Sequence, residues 1–488
     1  MKFRARFLAT AASFFVLLPA CGLTSKAGEA DMIVTAAPVY QPLAALSGAE
    51  RFPKGAQLLL LHEGNAEPLV VGFAATADAN VSFDGRTVLF AGKQAATDPW
   101  QIWELTLSTH AVRKVISTET DAIRPLYLPG LLPEGRLVYA HRTLQGFQLE
   151  TARTREGPPS YASVDPTPAV VQITYLPASM LPVDVLADGR ILFEAGFPLA
   201  SKTESRPVPE LFLVYSDGSG VESYRCDHGL ARWGGKQVAN GDVVFTHGTS
   251  LARFTSPLAH EAHIAAPHAE YAGGIAETAS GEWLVSARTA PGTHYALKLW
   301  KPGSPALASL HAESGKDIVQ PVLVGPRTRP NRHPSGLHNW SYANLLALDA
   351  RQSRGGDLKT APASVRLDTQ DTRGHAVVTG TSAVDSDGSF FVKVPGDKPI
   401  RFALLDAKGA VVRQEHGWFW IRQGEQRICV GCHTGPERAS ENRVPAVLMR
   451  TTTPADLTGV NPAEAAEQKA LESPRTGLSS RGSSRGGN

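Results

Sequence analysis

Cys429-Val430-Gly431-Cys432-His433 sets two thiols three residues apart with an imidazole directly after the second. That spacing suits covalent haem attachment. Each thiol can form a thioether with one haem vinyl group, and the following His then lies under the iron as its proximal ligand. Three other chemistries use a C-x-x-C pair. A thioredoxin-like redox pair needs a surrounding βαβ pattern, which the sequence lacks. Half a zinc site needs a second C-x-x-C or two closely spaced His downstream, and neither follows. A structural disulfide is the third. The pattern therefore predicts one covalent haem c at Cys429, Cys432 and His433.

The sixth iron ligand decides what such a haem does. Met449 lies 16 residues after His433, a stretch that spans roughly 50 Å when extended, so it can reach. His416, 13 residues before Cys429, is the other candidate. A His/Met or His/His haem is a closed electron carrier, whereas an open position admits small molecules. Met449 in Ala446-Val447-Leu448-Met449 suits a core position equally well. Trp418, Phe419 and Trp420 could wall the haem edge or pack against the sandwich. Cys226-Asp227-His228 is a second cluster, with Cys226 and His228 able to hold an additional metal, although a lone Cys usually fills apolar space. His333 and His338, five apart in a Pro/Gly-rich stretch, could bind a metal or simply lie on the surface.

The elements that position these residues are β-strands. Five segments share an acidic or polar residue, Gly, one residue and an apolar run: Asp84-Gly85, Glu134-Gly135, Asp188-Gly189, Asn240-Gly241 and Ser280-Gly281. Their starts at 84, 134, 188, 240 and 280 are 50, 54, 52 and 40 residues apart. Asp-Gly and Asn-Gly are tight-turn signals, and a second alternating strand follows each. Units of 40–54 residues built from hairpins have the period of a propeller blade. The apolar runs 57–61 and 344–348 could supply a sixth blade. The turn-and-strand text resembles TolB-like or WD40-like propeller repeats. Residues 363–413, with turns at Asp387-Gly388 and Lys408-Gly409, read as a small β-sandwich.

The fold class expected is all-β, a β-propeller of about six blades followed by a small β-sandwich and a short C-terminal haem c segment. The expected boundaries are 1–21 a lipoprotein signal peptide, 22–54 a linker and 55–325 the propeller. They continue with 326–362 a connector, 363–415 the sandwich, 416–450 the haem segment and 451–488 a disordered tail.

At the N-terminus, Lys2, Arg4 and Arg6 precede an apolar run from Phe7 to Leu18. That run is too short for a bilayer, which needs about 20 residues, and fits a signal-peptide core. Leu18-Pro19-Ala20-Cys21 resembles a lipoprotein cleavage site, with Pro19 where a small residue is usual. Lipidated Cys21 would anchor the chain to a membrane. The alternative is an ordinary signal peptide cut elsewhere. Either way the chain is expected outside the cytoplasm, in the periplasm or as an outer-membrane lipoprotein of a bacterium. The 488 residues carry 48 Lys+Arg against 46 Asp+Glu, a net charge of +2, which gives no electrostatic pull on nucleic acid.

The stretch running Asp387-Gly388-Ser389-Phe390, Val392-Pro395, Phe402, Leu405-Asp406, Gly409, Gly424-Glu425, Cys429 to His433, Pro436-Glu437 and Asn442-Arg443-Val444-Pro445 resembles the C-terminal part of the hydrazine synthase alpha subunit-related family. The resemblance implies a propeller-like domain joined to haem-bearing segments, thioethers at Cys429 and Cys432, and His433 as proximal ligand. The family's alpha subunit carries a second c-type haem, whereas this chain has a single C-x-x-C-H. Three functions follow as expectations. The first is one-electron transfer at a single haem, with the propeller as platform for a redox partner or a small-molecule substrate. The second is a haem oxidoreductase acting on a small nitrogen species. The third is a propeller binding module with a structural or sensory haem.

Overall fold

A computed structural model describes residues 31–130, 135–154, 170–198, 207–225, 230–257, 259–353, 356–415, 417–431 and 442–459. Among these the architecture is nearly all β. No described helix is long and apolar enough to cross a membrane.

Six four-stranded antiparallel sheets form the propeller. The Gly-containing turns at Asp84-Gly85, Asp188-Gly189, Asn240-Gly241 and Ser280-Gly281 each join the first and second strands of a blade, as their hairpin chemistry requires, while Glu134 lies outside the described residues. Blade 2 runs Ala75–Val81, Thr87–Lys93, Gln101–Thr106, Ala111–Ile116. Blades 3 to 6 begin at Ala122, Met180, Arg232 and Glu270 and repeat the plan. Blade 1 is built from both ends of the domain: Asp317–Leu323 is its inner strand, and Met32–Ala37, Gln57–His62 and Asn65–Pro68 complete it. Inner strands of successive blades touch all the way round and return to the start. The propeller therefore begins at Met32, inside the stretch 22–54 expected to be a linker. Met32–Ala37 is buried along its whole length because one face packs on blade 6 and the other on blade 2.

The second domain is a sandwich of two four-stranded sheets. One runs Gln426–Cys429, Tyr342–Ala347, Phe390–Pro395, Ala455–Asp456; the other runs Ala376–Ala383, Ser364–Gln370, Ile400–Leu405, Val411–Gln414. Leu345, Val365, Leu367, Val392, Val394 and Ile400 fill the space between them. The sandwich thus reaches beyond 363–415 in both directions. The run 344–348 is not a blade strand but a central sandwich strand, taken from the expected connector. Gln426–Cys429 comes from the expected haem segment and pairs parallel to it. Ala455–Asp456 comes from the expected tail, where Leu457 is buried against the same core. Residues 460–488 lie outside the described residues.

Residues 326–341 bind the two domains together. Asn331 N donates to Ala187 O at 2.8 Å, and the Arg327 guanidinium lies 4.4 Å over Phe83. At the blade 4 turn, Gly189 has φ +89°, and a Cβ there would lie 2.1 Å from Asn331 O. Only glycine satisfies both the turn and the approach of the connector. Gly424 does the same at the sandwich: φ is +77° and a Cβ would meet His338 O at 1.9 Å.

Candidate haem site

Cys429 is the last residue of an edge strand, the outermost of its sheet. Leu348 N donates to Cys429 O at 2.9 Å, and Asp349 N donates to Val430 O at 3.2 Å. The backbone is therefore fixed as far as Val430. The Cys429 side chain is half-buried against the sandwich core. Burial pushes the thiol up and the Arg427 guanidinium beside it works the other way, with burial prevailing. Cys432 and His433 lie outside the described residues, as do Cys21, Cys226, His228 and His416.

The described residues fit a covalent haem in two respects. The first cysteine stands on a rigid strand at a sheet edge. Its neighbour Ile428 is a large apolar residue left 65% exposed. Residues Cys429, Cys432 and His433 would hold the group, and bound haem supplies an iron that cycles by one electron.

The segment after the motif returns to the same corner. Asp387 receives Ala446 N at 2.8 Å and the Arg443 guanidinium, and Val447 N donates to Ser389 Oγ at 3.1 Å. Partial burial opposes ionisation of Asp387. The Ser389 hydroxyl, the Ala446 and Ser389 N–H groups and Arg443 outweigh it and hold the carboxyl well below the usual carboxylate range. These contacts seat helix α1, Ala446–Arg450. Val447 takes the buried position and Met449 does not, so Met449 is not a core residue.

Trp418, Phe419 and Trp420 divide between the two domains. Phe419 packs on the sandwich core, while Trp418 and Trp420 join the apolar cluster of blades 3 and 4. His333 stacks on Tyr215 at 3.8 Å and His338 on Trp340 at 4.2 Å, so they have separate partners. No group of three or more His, Cys, Asp or Glu among the described residues forms a metal cluster.

Two features had no reading in the sequence. One is the domain junction at Arg422, which donates to Asp217 O and Tyr175 Oη at 2.9 Å each and pairs with Asp397. The other is a polar network around the propeller axis. Inner strands of blades 1, 2 and 3 bulge at Gln320, Asp78 and Arg124, each at positive φ. The network runs Thr35 to Gln320 at 2.7 Å, Gln320 to Asp78 at 2.6 Å and Arg124 N to Asp78 at 3.1 Å. It continues from the Arg124 guanidinium to Glu194 at 2.5 Å and from Gly234 N to Glu194 at 3.1 Å, reaching blade 5. A single carboxylate inside an apolar run, such as Glu194 in Ile191-Leu192-Phe193-Glu194-Ala195, is the signal that marks such a position.

Both mouths of the channel are covered. Between its second and third strands, blade 1 sends out residues 38–56, whose 3₁₀ turn Ala44–Ser47 touches blades 3 and 4. Blade 4 stands opposite blade 1 in a ring of six, so this excursion crosses the axis. It lowers Arg51 onto Asp78, and it buries Tyr40, whose hydroxyl is pushed up to about 12, chiefly by that burial. At the other mouth Arg327 donates to Val81 O, with Tyr127 and Asp184 close by.

A closed six-bladed propeller joined to a two-sheet sandwich, one strand of which ends on the first cysteine of C-x-x-C-H, defines the architecture of this protein. Residues 346–434 match the family described as the hydrazine synthase alpha subunit middle domain, a span that runs from the first sandwich strand to the residue after His433. Over that span the chain is similar to the hydrazine synthase alpha subunit family. It is 38% identical over 61 residues to hydrazine synthase subunit alpha of Kuenenia stuttgartiensis, which is 12% of this chain and 8% of that protein. The Kuenenia stuttgartiensis hydrazine synthase structure superposes with a TM-score of 0.75 at 17% identity, covering 86% of this chain and 71% of that one. The β-propeller domain of the Trilobed protease from Pyrococcus furiosus aligns with a TM-score of 0.34 at 15% identity, over 55% of this chain and 77% of its own.

Proposed function

We propose that this protein is an exported c-type haem protein that transfers single electrons at one haem held by Cys429, Cys432 and His433. The observation that carries the reading is the placement of Cys429. A fixed edge strand ends on the first thiol of the motif, and an exposed apolar side chain stands next to it. The propeller serves as a docking body for a redox partner through its outer surface, since both mouths of its channel are covered. Cys429→Ala is expected to abolish double-thioether haem, because one of the two attaching thiols is gone. A pyridine haemochrome assay on protein matured in cells competent for haem c attachment reads this. Unchanged haem content in the variant would overturn the assignment.

Export and anchoring belong to the same proposal. Loss of residues 1–20 with a diacylglyceryl group on Cys21 is the expected state, and the intact mass of the mature chain checks it. An unprocessed N-terminus would refute it. A second reading, a haem oxidoreductase acting on a small nitrogen species, draws on the fold shared with hydrazine synthase over most of the chain. It requires a high-spin haem whose spectrum shifts with hydroxylamine or nitric oxide. A six-coordinate spectrum indifferent to both sinks it. No covalent haem in the wild type would leave a propeller binding module.

A further inference from the structure

Building on the docking reading above, we infer that the redox partner docks where the connector crosses the capped mouth of the propeller, and that Arg327, Arg329 and Arg332 recognise carboxylates on an acidic face of that protein. From Ile318 to Leu348 the sequence has no Asp and no Glu, and it carries three arginines and no lysine. The whole chain has a net charge of only +2, so this run is a local excess. All three arginines are exposed, and among the described residues none has a carboxylate partner. Arg51, Arg113, Arg142, Arg190, Arg253 and Arg288 of the propeller each hold one.

The connector holds these side chains from both ends. A Cβ on Gly85, in the blade 2 turn, would lie 2.6 Å from Gly325 C. Asn331 is bound at the blade 4 turn, and His333 stacks on Tyr215. Between these anchors Arg327 lies 4.4 Å and Arg329 5.8 Å from the centre of one ring, that of Phe83. Their guanidinium carbons are thus within about 10 Å of each other, comparable to the Debye length, and each raises the energy of the other until anions arrive. Arg86 adds a guanidinium beside Gly85, 83% exposed and only loosely paired with Asp84 at 3.9 Å. Burial holds the Arg327 guanidinium below its ordinary value; Asp184 works the other way but is already engaged by Lys236 at 2.7 Å. Pro326, Pro330 and Pro334 recur at every fourth position and stiffen the backbone between the arginines, so binding has little left to order. The side chains also select the class of partner. Arginine pairs with carboxylates through a planar fork and is enriched in protein interfaces, where lysine is depleted. A lipid surface asks only for positive charge, which lysine supplies equally well.

The test uses the full chain matured with haem and a fluorescein-labelled decaglutamate peptide as probe, read by anisotropy at about 25 mM and about 150 mM salt. The wild type should bind the peptide at the lower salt and weaken at the higher. Arg329→Glu combined with Arg332→Glu should weaken binding at least about tenfold, since charges of this kind govern encounter and its salt dependence. Neither arginine makes a hydrogen bond among the described residues, so the thermal midpoint should not move. Lys398→Glu combined with Lys408→Glu makes the same change in net charge on exposed sandwich lysines and should leave binding within about twofold. A wild type that ignores the peptide, an arginine variant that binds it like the wild type, or an equal loss in the lysine variant would overturn the inference. So would arginine-dependent binding to phosphatidylglycerol vesicles that exceeds binding to the peptide, which would make this a membrane-facing surface. Haemochrome content is counted on the same samples. Peptide binding without covalent haem would overturn the proposed function and leave an acidic-protein docking face, so the two failures are told apart.

Discussion

Arg51→Ala is expected to destabilise the propeller by about 3–5 kcal/mol, the cost typical of removing one member of a buried ion pair. Both side chains are 3% exposed, and Arg51 Nη1 lies 2.8 Å from Asp78 Oδ1. The loss leaves Asp78 charged in the channel. Burial alone would raise its pKa, but Arg51 and then Arg124 and Gln320 draw it below the ordinary carboxylate value. That sign fixes the pH window. A carboxylate lowered in the folded state contributes stability above its unfolded pKa and loses it as pH falls through the folded one. Stability of the wild type should therefore fall in acid, and the variant should lose less between neutral and acid pH. Urea titrations at several pH values measure both. A variant as stable as the wild type would show that the axis network contributes nothing net. Asp78→Asn in the Arg51→Ala background should recover part of the loss, because it removes the orphaned charge.

The second large effect is expected at the junction. Trp420→Ala should cost about 3–5 kcal/mol, the range for deleting a buried aromatic ring. Trp420 is 1% exposed and lies among Leu128, Val138, Ile173 and Val214 of the propeller, although its chain neighbour Ile421 belongs to the sandwich core. Its indole N–H points to Gly218 O at 3.4 Å. The substitution should therefore uncouple the domains as well as weaken them. Calorimetry should show one transition for the wild type and two for the variant. Arg422 acts beside it through Asp217, Tyr175 and Asp397, so the two residues should not be additive. A single transition at an unchanged temperature would mean that the connector 326–341 alone holds the domains together.

What could be read in the sequence follows from how local each signal is. Asp84-Gly85, Asp188-Gly189 and Asn240-Gly241 announce their hairpins because a tight turn is decided by two adjacent residues. Met32–Ala37 announces nothing, because its partner strand lies nearly the whole propeller away: Thr35 and Gln320 are 285 positions apart. The bulges at Asp78, Arg124 and Gln320 were invisible for a related reason. No turn residue marks them, and packing at the axis selects the conformation. In the sandwich, Ser389 to Val394 was legible from its Asp-Gly turn and apolar alternation. Gln426–Cys429 was not, since a strand half open to solvent has no apolar period to detect. The C-x-x-C-H motif could be read as chemistry from its spacing. Its place at a sheet edge depends on pairing between residues 82 positions apart, and the helix brought back by Asp387 depends on contacts across 56 and 59, which no local pattern records.

The mixed first blade also sets an order of events. A chain made from its N-terminus presents Met32–Ala37 early, and that strand has no inner neighbour until Leu323 has emerged. Through the synthesis of almost three hundred residues one edge stays unsatisfied, and an open apolar edge recruits other chains. The clasp then shuts last, after the five complete blades. A nascent chain that stalls short of residue 317 has five blades and no ring, and such a product is a substrate for proteolysis. The residues that follow the clasp are the connector and the sandwich. The cysteine strand thus joins a domain that docks onto a propeller already closed, so the C-x-x-C-H motif acquires its surroundings late, followed by α1 and the edge strand Ala455–Asp456.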